Sequence, residues 1–545
     1  MRLQERYVEF DVAALKDVVS THTGRGKVVD LVKLSEGGFN RVFLLTLEDG
    51  FKTVVKIPYN FLVPKKYATA SEVATLAFLR QKGIPVPDVY GWSSTPDNAV
   101  GVEYIVMEFV IDMGLDTKWF DMTKEQQRDI ALGIVGIEKK LFSIPFGSIG
   151  SLYFKKDIPL EVQANLYAPG TPDPDGDSDT FCIGPIVDYM FWYGRRAQLE
   201  GVDHGPWNEP HEYLQAIGKR ELEWTQKFGK PLVKEYPHNA LLPGVECPKD
   251  YSDLLQKYLT ICPYILPRDP QDPNNKPTIR HPGTFFLPLF SNPLSPFRFT
   301  SLWKSLVQAN DNPDLTPSNV FVRPETFEIT KIIDWQHTVI TPLLLAAGHP
   351  KLFENPDAEP PETLEAPKPP EGYDSLDSEI KSRVDELLRR QRLFYFYRVF
   401  NGAKNKLHLS AFYDPLLLPR QHLVEYAGRQ WNGNLMTLRG ALIRIHEYWS
   451  LLPTKIEKCP IDFPEAELKK HFEEEPTWFD ATALVNYWRD ELGGLSEEGW
   501  VRTEMYDHAV KQNETLKSKF FNDADPNEKE KIIQGWPFQD REEFH

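Results

Sequence analysis

The sequence predicts an α+β fold of two lobes, a small antiparallel-sheet lobe followed by a large, mainly helical one. Three observations carry this reading. Residues 27–58, KVVDLVKLSEGGFNRVFLLTLEDGFKTVVKIP, alternate apolar and polar positions and turn at Gly37-Gly38 and Asp49-Gly50, the pattern of half-buried strands joined by hairpins. One helical stretch and two further strand-like runs complete a small unit by Val110. Beyond it, helical patterns dominate as far as about Lys519.

Residues 1–26 read as an N-terminal extension and 27–110 as the small lobe. Within that lobe ATASEVATLAFLRQKG forms one helix, with Val73, Leu76, Ala77 and Leu79 near one side and Gly83 at its end. IPVPDVYGW and GVEYIVMEFV supply the last two strands. Residues 111–350 form the large lobe, opening with a helix over 121–145 that carries Ile130, Leu132, Ile134, Val135 and Ile137. YAPGTPDPDGDSDT is a solvated loop whose acids resemble a calcium loop. Its Gly176 falls at the wrong position and no closing Glu follows, so calcium is set aside. Residues 208–260 are mainly helical. The Pro- and acid-rich 351–375 reads as an exposed connector, and 376–545 as a helical C-terminal part of the large lobe.

Composition narrows the function. The 545 residues carry 62 basic and 79 acidic side chains, a formal net charge of −17. That balance argues against nucleic-acid binding through a broad basic face. Cys182, Cys247, Cys262 and Cys459 are widely spaced, so neither a zinc cluster nor a disulfide framework is expected. No apolar run is long enough to span a bilayer. Glu5, Glu9, Asp11 and Asp17 do not suit a transit peptide, and the chain reads as cytosolic.

The remaining signals point to phosphoryl transfer, which asks a protein mainly to position groups and neutralise charge. Lys56 lies in the apolar strand TVVKIP, and Glu72, sixteen residues on, sits in the following helix where it could hold the ammonium. The plainer reading is a lysine on an exposed strand face. DLTPSNVFV places Asp314 and Asn319 five apart, letting a carboxylate reach a substrate hydroxyl while an amide oxygen reaches a metal. In ITKIIDWQ, Asp334 emerges from a buried strand as a magnesium-type ligand. Separately, Asp314 would open a turn and Asp334 cap one; the ordered set is more specific. Gly37-Gly38 could pass over phosphates or form a simple hairpin turn. EYIVMEFV could link the lobes, with the backbone of Met107, Glu108 and Phe109 facing adenine.

These phrases resemble the aminoglycoside phosphotransferase-like kinases, and more closely the fungal branch named for altered inheritance of mitochondria. KLSEGGFNRVFLL, VVKIP, TASEVATLAFLR, GIPVPDVYGWS, GVEYIVMEF, FCIGPIVD, GPW, PDLTPSNVFV and IIDWQHT carry the resemblance from about residue 30 to 345. It implies a bilobal protein-kinase-like fold using ATP and magnesium. Lys56 would contact phosphates, Glu72 would pair with it, Asp314 would be the catalytic carboxylate, and Asn319 and Asp334 would bind the metal. The phosphate acceptor would be a hydroxyl of a small molecule, and the location mitochondrial.

Two departures stand out. The family places His, then Pro or Gly, directly before the catalytic Asp. Here PTIRHP ends at Pro282, and joining it to Asp314 restores PTIRHPDLTPSNVFV. Residues 283–313 therefore read as an unspliced intron or a gene-model error, the alternative being a genuine insertion that displaces His281 from the catalytic loop. The family also commonly carries more sequence before the position of Met1. The rival function is a non-catalytic scaffold. A protein kinase fits less well, because HRD, DFG and APE are missing.

Overall fold

The computed structural model describes residues 7–281, 315–354, 364–493, 495, 501 and 505–539. Period-two alternation builds the small lobe as expected. Strands β1 (Val28–Glu36), β2 (Asn40–Leu47), β3 (Lys52–Pro58), β4 (Val89–Ser93) and β5 (Tyr104–Glu108) form one sheet in the order β1-β2-β3-β5-β4, with every pairing antiparallel. The β2–β3 turn closes on Gly50 at φ +82°, while the Asp49 side chain accepts the Phe51 N–H, a turn chemistry that tolerates left-handed backbone.

The two faces of this sheet differ. On one, Phe43, Leu45, Leu47, Val55 and Val106 are buried beneath helix α1 (Val12–Thr23), which contributes Leu15 and Val19. Residues set apart as an N-terminal extension thus complete the small-lobe core. Burying those two side chains stabilises the lobe by about 1.5–3 kcal/mol each. Asp11 caps α1 by accepting the Ala14 N–H at 2.9 Å. The opposite face carries Lys56.

Helix α2 (Tyr67–Gln81) lies beside the sheet and ends at Gly83, φ +68°. Eleven of its fifteen residues are buried, so it is enclosed on more than the one side that periodicity suggested. The large lobe covers its other flank through the strand Ser151–Phe154. Lys82, just past α2, reaches the acidic loop and pairs with Asp175 at 3.1 Å and with Asp177. Asp173 is occupied by the Asp177 and Ser178 N–H groups. A lysine ammonium supplies the positive charge among these acids.

The large lobe is mainly helical. Helix α3 (Lys124–Ser143) begins with a capping box of Thr123 and Gln126 and packs against the helix Ser378–Lys404. Helices Pro210–Phe228 and Pro248–Ile261 pack together, and helices from Ser378 to Asp523 form most of the C-terminal part. The architecture is a bilobal α+β fold, a small antiparallel-sheet lobe followed by a mainly helical one. Short strands position the cleft: Pro277–Ile279 pairs with Ile340–Pro342, and Val320–Val322 pairs with both Ile329–Ile332 and Met113–Gly114. Among the described residues no helix is long and apolar enough to cross a membrane.

Candidate functional site

Three elements converge at the cleft. Lys56, buried on β3, donates to both oxygens of Glu72 on α2, at 2.7 and 2.9 Å. From the large lobe, Asp334 follows the strand Ile329–Ile332 and brings its carboxylate to 3.5 Å from the same ammonium. Burial alone would lower the Lys56 pKa, but the two carboxylates outweigh it and hold the ammonium protonated. The side chains of Lys56 and Glu72 are 9% and 5% exposed, whereas that of Asp334 is 51% exposed. One acid is therefore committed to the lysine, and the other faces open space with capacity for a cation. Asp334 offers oxygen donors of the kind magnesium takes, although among the described residues no group of three or more His, Cys, Asp or Glu side chains gathers to hold a metal ion.

Asp334 and His337 both adopt left-handed backbone, at φ +65° and +59°. Such conformations in non-glycine residues are costly and concentrate at functional sites. The segment is held at nearly every step. The Ile333 N–H donates to the Asn319 carbonyl at 3.0 Å, bringing Asn319 beside Asp334. His281 Nε2 donates to the Ile333 carbonyl at 2.9 Å, and its ring meets Trp335 edge-on. Burial holds His281 below its ordinary pKa. The strand pairing of Pro277–Ile279 with Ile340–Pro342 fixes His281 from its N-terminal side. Asp314 and residues 283–313 lie outside the described residues; the chain re-enters at Leu315, which is buried in the large-lobe core.

The face of the sheet bearing Lys56 carries a row of apolar side chains. Val32 pairs across to Leu44, Leu44 to Val54, and Val54 to Met107, and directly opposed residues share a face. Val32 is 44% exposed and Leu34, two residues on, 47%, so this row ends in apolar surface that a planar ring could cover.

Part of the linker backbone is already occupied. The Met107 carbonyl accepts from the Thr53 hydroxyl at 2.6 Å, and the Glu108 N–H donates to the Asp88 carbonyl at 2.8 Å. These groups are spent inside the sheet because β5 lies between β3 and β4. Of the three residues expected to face adenine, only Phe109 lies beyond the strand pairing. The Glu108 side chain instead binds Lys331 of the large lobe at 2.7 Å.

Gly37 and Gly38 form the β1–β2 turn without positive φ, and a Cβ at Gly38 would meet nothing. Their smallness leaves open space rather than relieving strain. The Gly37 N–H is spent on the Asn40 carbonyl.

The sequence reading assigned no role to the contacts that dock this turn on the large lobe. The Phe39 ring lies 5.3 Å from Tyr189 and 5.4 Å from His337, and Asn40 donates to Gln336 at 3.0 Å. Their signal was present in EGGFN and IIDWQHT, the phrases that contain Gly37-Gly38 and Asp334.

No protein-family model matches the chain. It is homologous over nearly its whole length to named fungal proteins. A subtelomeric hrmA-associated cluster protein of Aspergillus fumigatus is 28% identical over 94% of this chain and 97% of its own. Altered inheritance of mitochondria protein 9, mitochondrial, of Eremothecium gossypii is 24% identical over 92% of this chain and 79% of its own. The ADP-bound structure of aminoglycoside phosphotransferase APH(2'')-Ib aligns with 80% of this chain and 96% of its own, at 11% identity and a TM-score of 0.34. A likeness that loose carries no argument about activity.

Proposed function

We propose that the cleft binds ATP with magnesium and that the chain transfers the terminal phosphoryl group to a hydroxyl of a small molecule. The observation that carries this reading is the cluster of Lys56, Glu72 and Asp334, drawn from three separate elements onto the face that also bears the apolar row. Lys56 would hold phosphate oxygens, with Glu72 fixing its ammonium. Asp334 and Asn319 would hold magnesium. Val32, Leu44, Val54 and Met107 would cover the adenine face, and the backbone from Phe109 onward would meet its edge. The turn at Gly37-Gly38 would close over the phosphates. When bound, ATP with magnesium supplies the transferable group and neutralises its charge. Asp314 would orient the attacking hydroxyl and take its proton. By extension from the mitochondrial relatives, the site of action would be mitochondrial.

The test is transfer of labelled terminal phosphate from ATP by the full chain, over a panel of small hydroxyl compounds and a generic protein. Labelling of a small molecule, lost in Asp314→Asn, supports the reading; labelling of the protein alone overturns it. A second reading, a nucleotide-binding scaffold, is favoured by the 31-residue interval between His281-Pro282 and Asp314. Nucleotide binding with no transfer to any acceptor would select it.

A further inference from the structure

We propose that Phe39 and Asn40 form a latch across the cleft, fastening the phosphate end of the small lobe to Gln336, His337 and Tyr189, so that nucleotide enters and leaves only when the latch opens. The proposal rests on the nucleotide reading of the cleft and adds to it a control on the rate of exchange.

The segment 331–337 of the large lobe meets the small lobe at two separate places. On the linker side, the Lys331 ammonium binds the Glu108 carboxylate at 2.7 Å and the Val86 carbonyl at 3.3 Å, and the Ile332 N–H donates to the Pro85 carbonyl at 2.7 Å. On the far side, the Asn40 amide donates to Gln336 Oε1 at 3.0 Å, and the Phe39 ring lies 5.4 Å from His337 and 5.3 Å from Tyr189. Asp334, 3.5 Å from Lys56, falls between the two places along the chain. Lobes joined on both sides of a cleft cannot part until one side lets go.

The far side is the one built to let go. The linker side combines an ion pair, two bonds to backbone carbonyls and the covalent chain itself. Among the described residues, the latch has one hydrogen bond between neutral amides and two ring contacts. Each such contact shifts an equilibrium by only about twofold to tenfold. The tip of the turn adds little, since a Cβ at Gly38 would meet no neighbour.

The position of the latch ties it to the phosphates. Val42 stands directly opposite Lys56, and Asn40 lies two residues along the same strand, on the same face. Gln336 likewise lies two residues beyond Asp334. The latch thus runs beside the Lys56 and Asp334 pair, on the side away from Val54, Met107 and the linker. Both latch residues are fixed to the sheet: the Tyr59 N–H donates to the Phe39 carbonyl at 3.0 Å, and Asn40 pairs with Pro58. Release is therefore a rotation of the small lobe as one body about the linker, the kind of hinge motion that gates ligand exchange. A latch that only gates changes both rates of exchange and leaves their ratio alone. A residue that shapes the site changes the ratio.

The experiment uses the full chain as wild type, Gln336→Ala, Asn40→Ala, the double variant and Phe39→Leu. Association of N-methylanthraniloyl-labelled ATP with magnesium is followed by stopped-flow fluorescence, dissociation by chase with unlabelled ATP, and affinity by equilibrium titration. Gln336 is buried and Asn40 only half-buried, so Asn40→Ala keeps the test open should Gln336→Ala fail to fold.

The expected result is a rise of about fivefold in both rates for each single amide variant, with affinity unchanged. The double variant should show the same rise, because both substitutions remove one bond. Phe39→Leu should raise both rates by about twofold to tenfold. Rates equal to wild type in the amide variants, or a weakened affinity with unchanged association, would overturn the latch. So would a double variant whose rise is the product of the two single ones. Labelled ATP that binds neither wild type nor any variant would instead sink the nucleotide reading, and the latch with it.

Discussion

Removing Glu72 is the sharpest structural perturbation of the cleft, and its cost can be worked from the geometry. At 2.7 Å and an effective dielectric near 20, the attraction between Lys56 and Glu72 is about 6 kcal/mol. Desolvation of both buried groups offsets part of it. Deleting one partner of a buried pair nevertheless costs about 3–5 kcal/mol, because the other charge is left without compensation. In Glu72→Ala, Asp334 at 3.5 Å remains near Lys56, but its side chain is 51% exposed and its attraction is screened. The expected loss is therefore about 2–4 kcal/mol, confined to the small lobe. Lys56→Met should cost less, since the buried Glu72 carboxyl can take a proton. The double variant Lys56→Met, Glu72→Leu should be more stable than Glu72→Ala. Urea unfolding gives the totals, and hydrogen exchange over Lys52–Pro58 localises them. A loss below about 0.5 kcal/mol in Glu72→Ala, or a double variant least stable of the three, would refute the buried-pair reasoning.

Other perturbations obey the same physics. Burial pushes the Glu36 carboxyl up, but hydrogen bonds from Lys33, Tyr59 and Arg41 outweigh it and bring its pKa from 4.5 to about 2. A carboxyl depressed in the folded state stabilises above its unfolded value. Acid titration should thus remove about 2 kcal/mol as pH falls from about 5 to 2, and Glu36→Gln should flatten that slope. Gln336→Ala breaks the bond to Asn40 and, at about 1 kcal/mol, should speed hydrogen exchange in the β1–β2 turn about fivefold while leaving the distant helices unchanged. Tyr397 donates to Glu138 at 2.6 Å beside Arg280, which binds the same carboxylate. Tyr397→Phe should cost about 1–3 kcal/mol and Arg280→Met about 3–5 kcal/mol, both measured by urea unfolding.

Much of the small lobe was legible because its signals are local. Alternation in 27–58 and the turn at Asp49-Gly50 specify three strands without knowledge of neighbours. The spacing of Lys56 and Glu72 anticipated an ion pair that the fold forms, and the Asn319 carbonyl accepts the N–H of Ile333, the residue before Asp334. The features that were not legible depend on distant parts of the chain. Helix α1 gains its place only from the sheet face it covers, and α2 is enclosed by strands on both flanks, which periodicity reads as one apolar side. The Met107 carbonyl and the Glu108 N–H are occupied by Thr53 and Asp88, neighbours that sequence does not state. Asn40 meets Gln336 across 296 positions.

The central claim is that Lys56, Glu72 and Asp334 form a nucleotide–magnesium site. Its most direct test is the thermal midpoint of the full chain with ATP, with and without magnesium. A ligand at a hundred times its dissociation constant adds about 2.7 kcal/mol to the folded state. The account predicts a clear, magnesium-dependent rise in midpoint that Asp334→Ala abolishes while remaining folded. No rise at saturating ATP and magnesium, or an undiminished rise in Asp334→Ala, would contradict it.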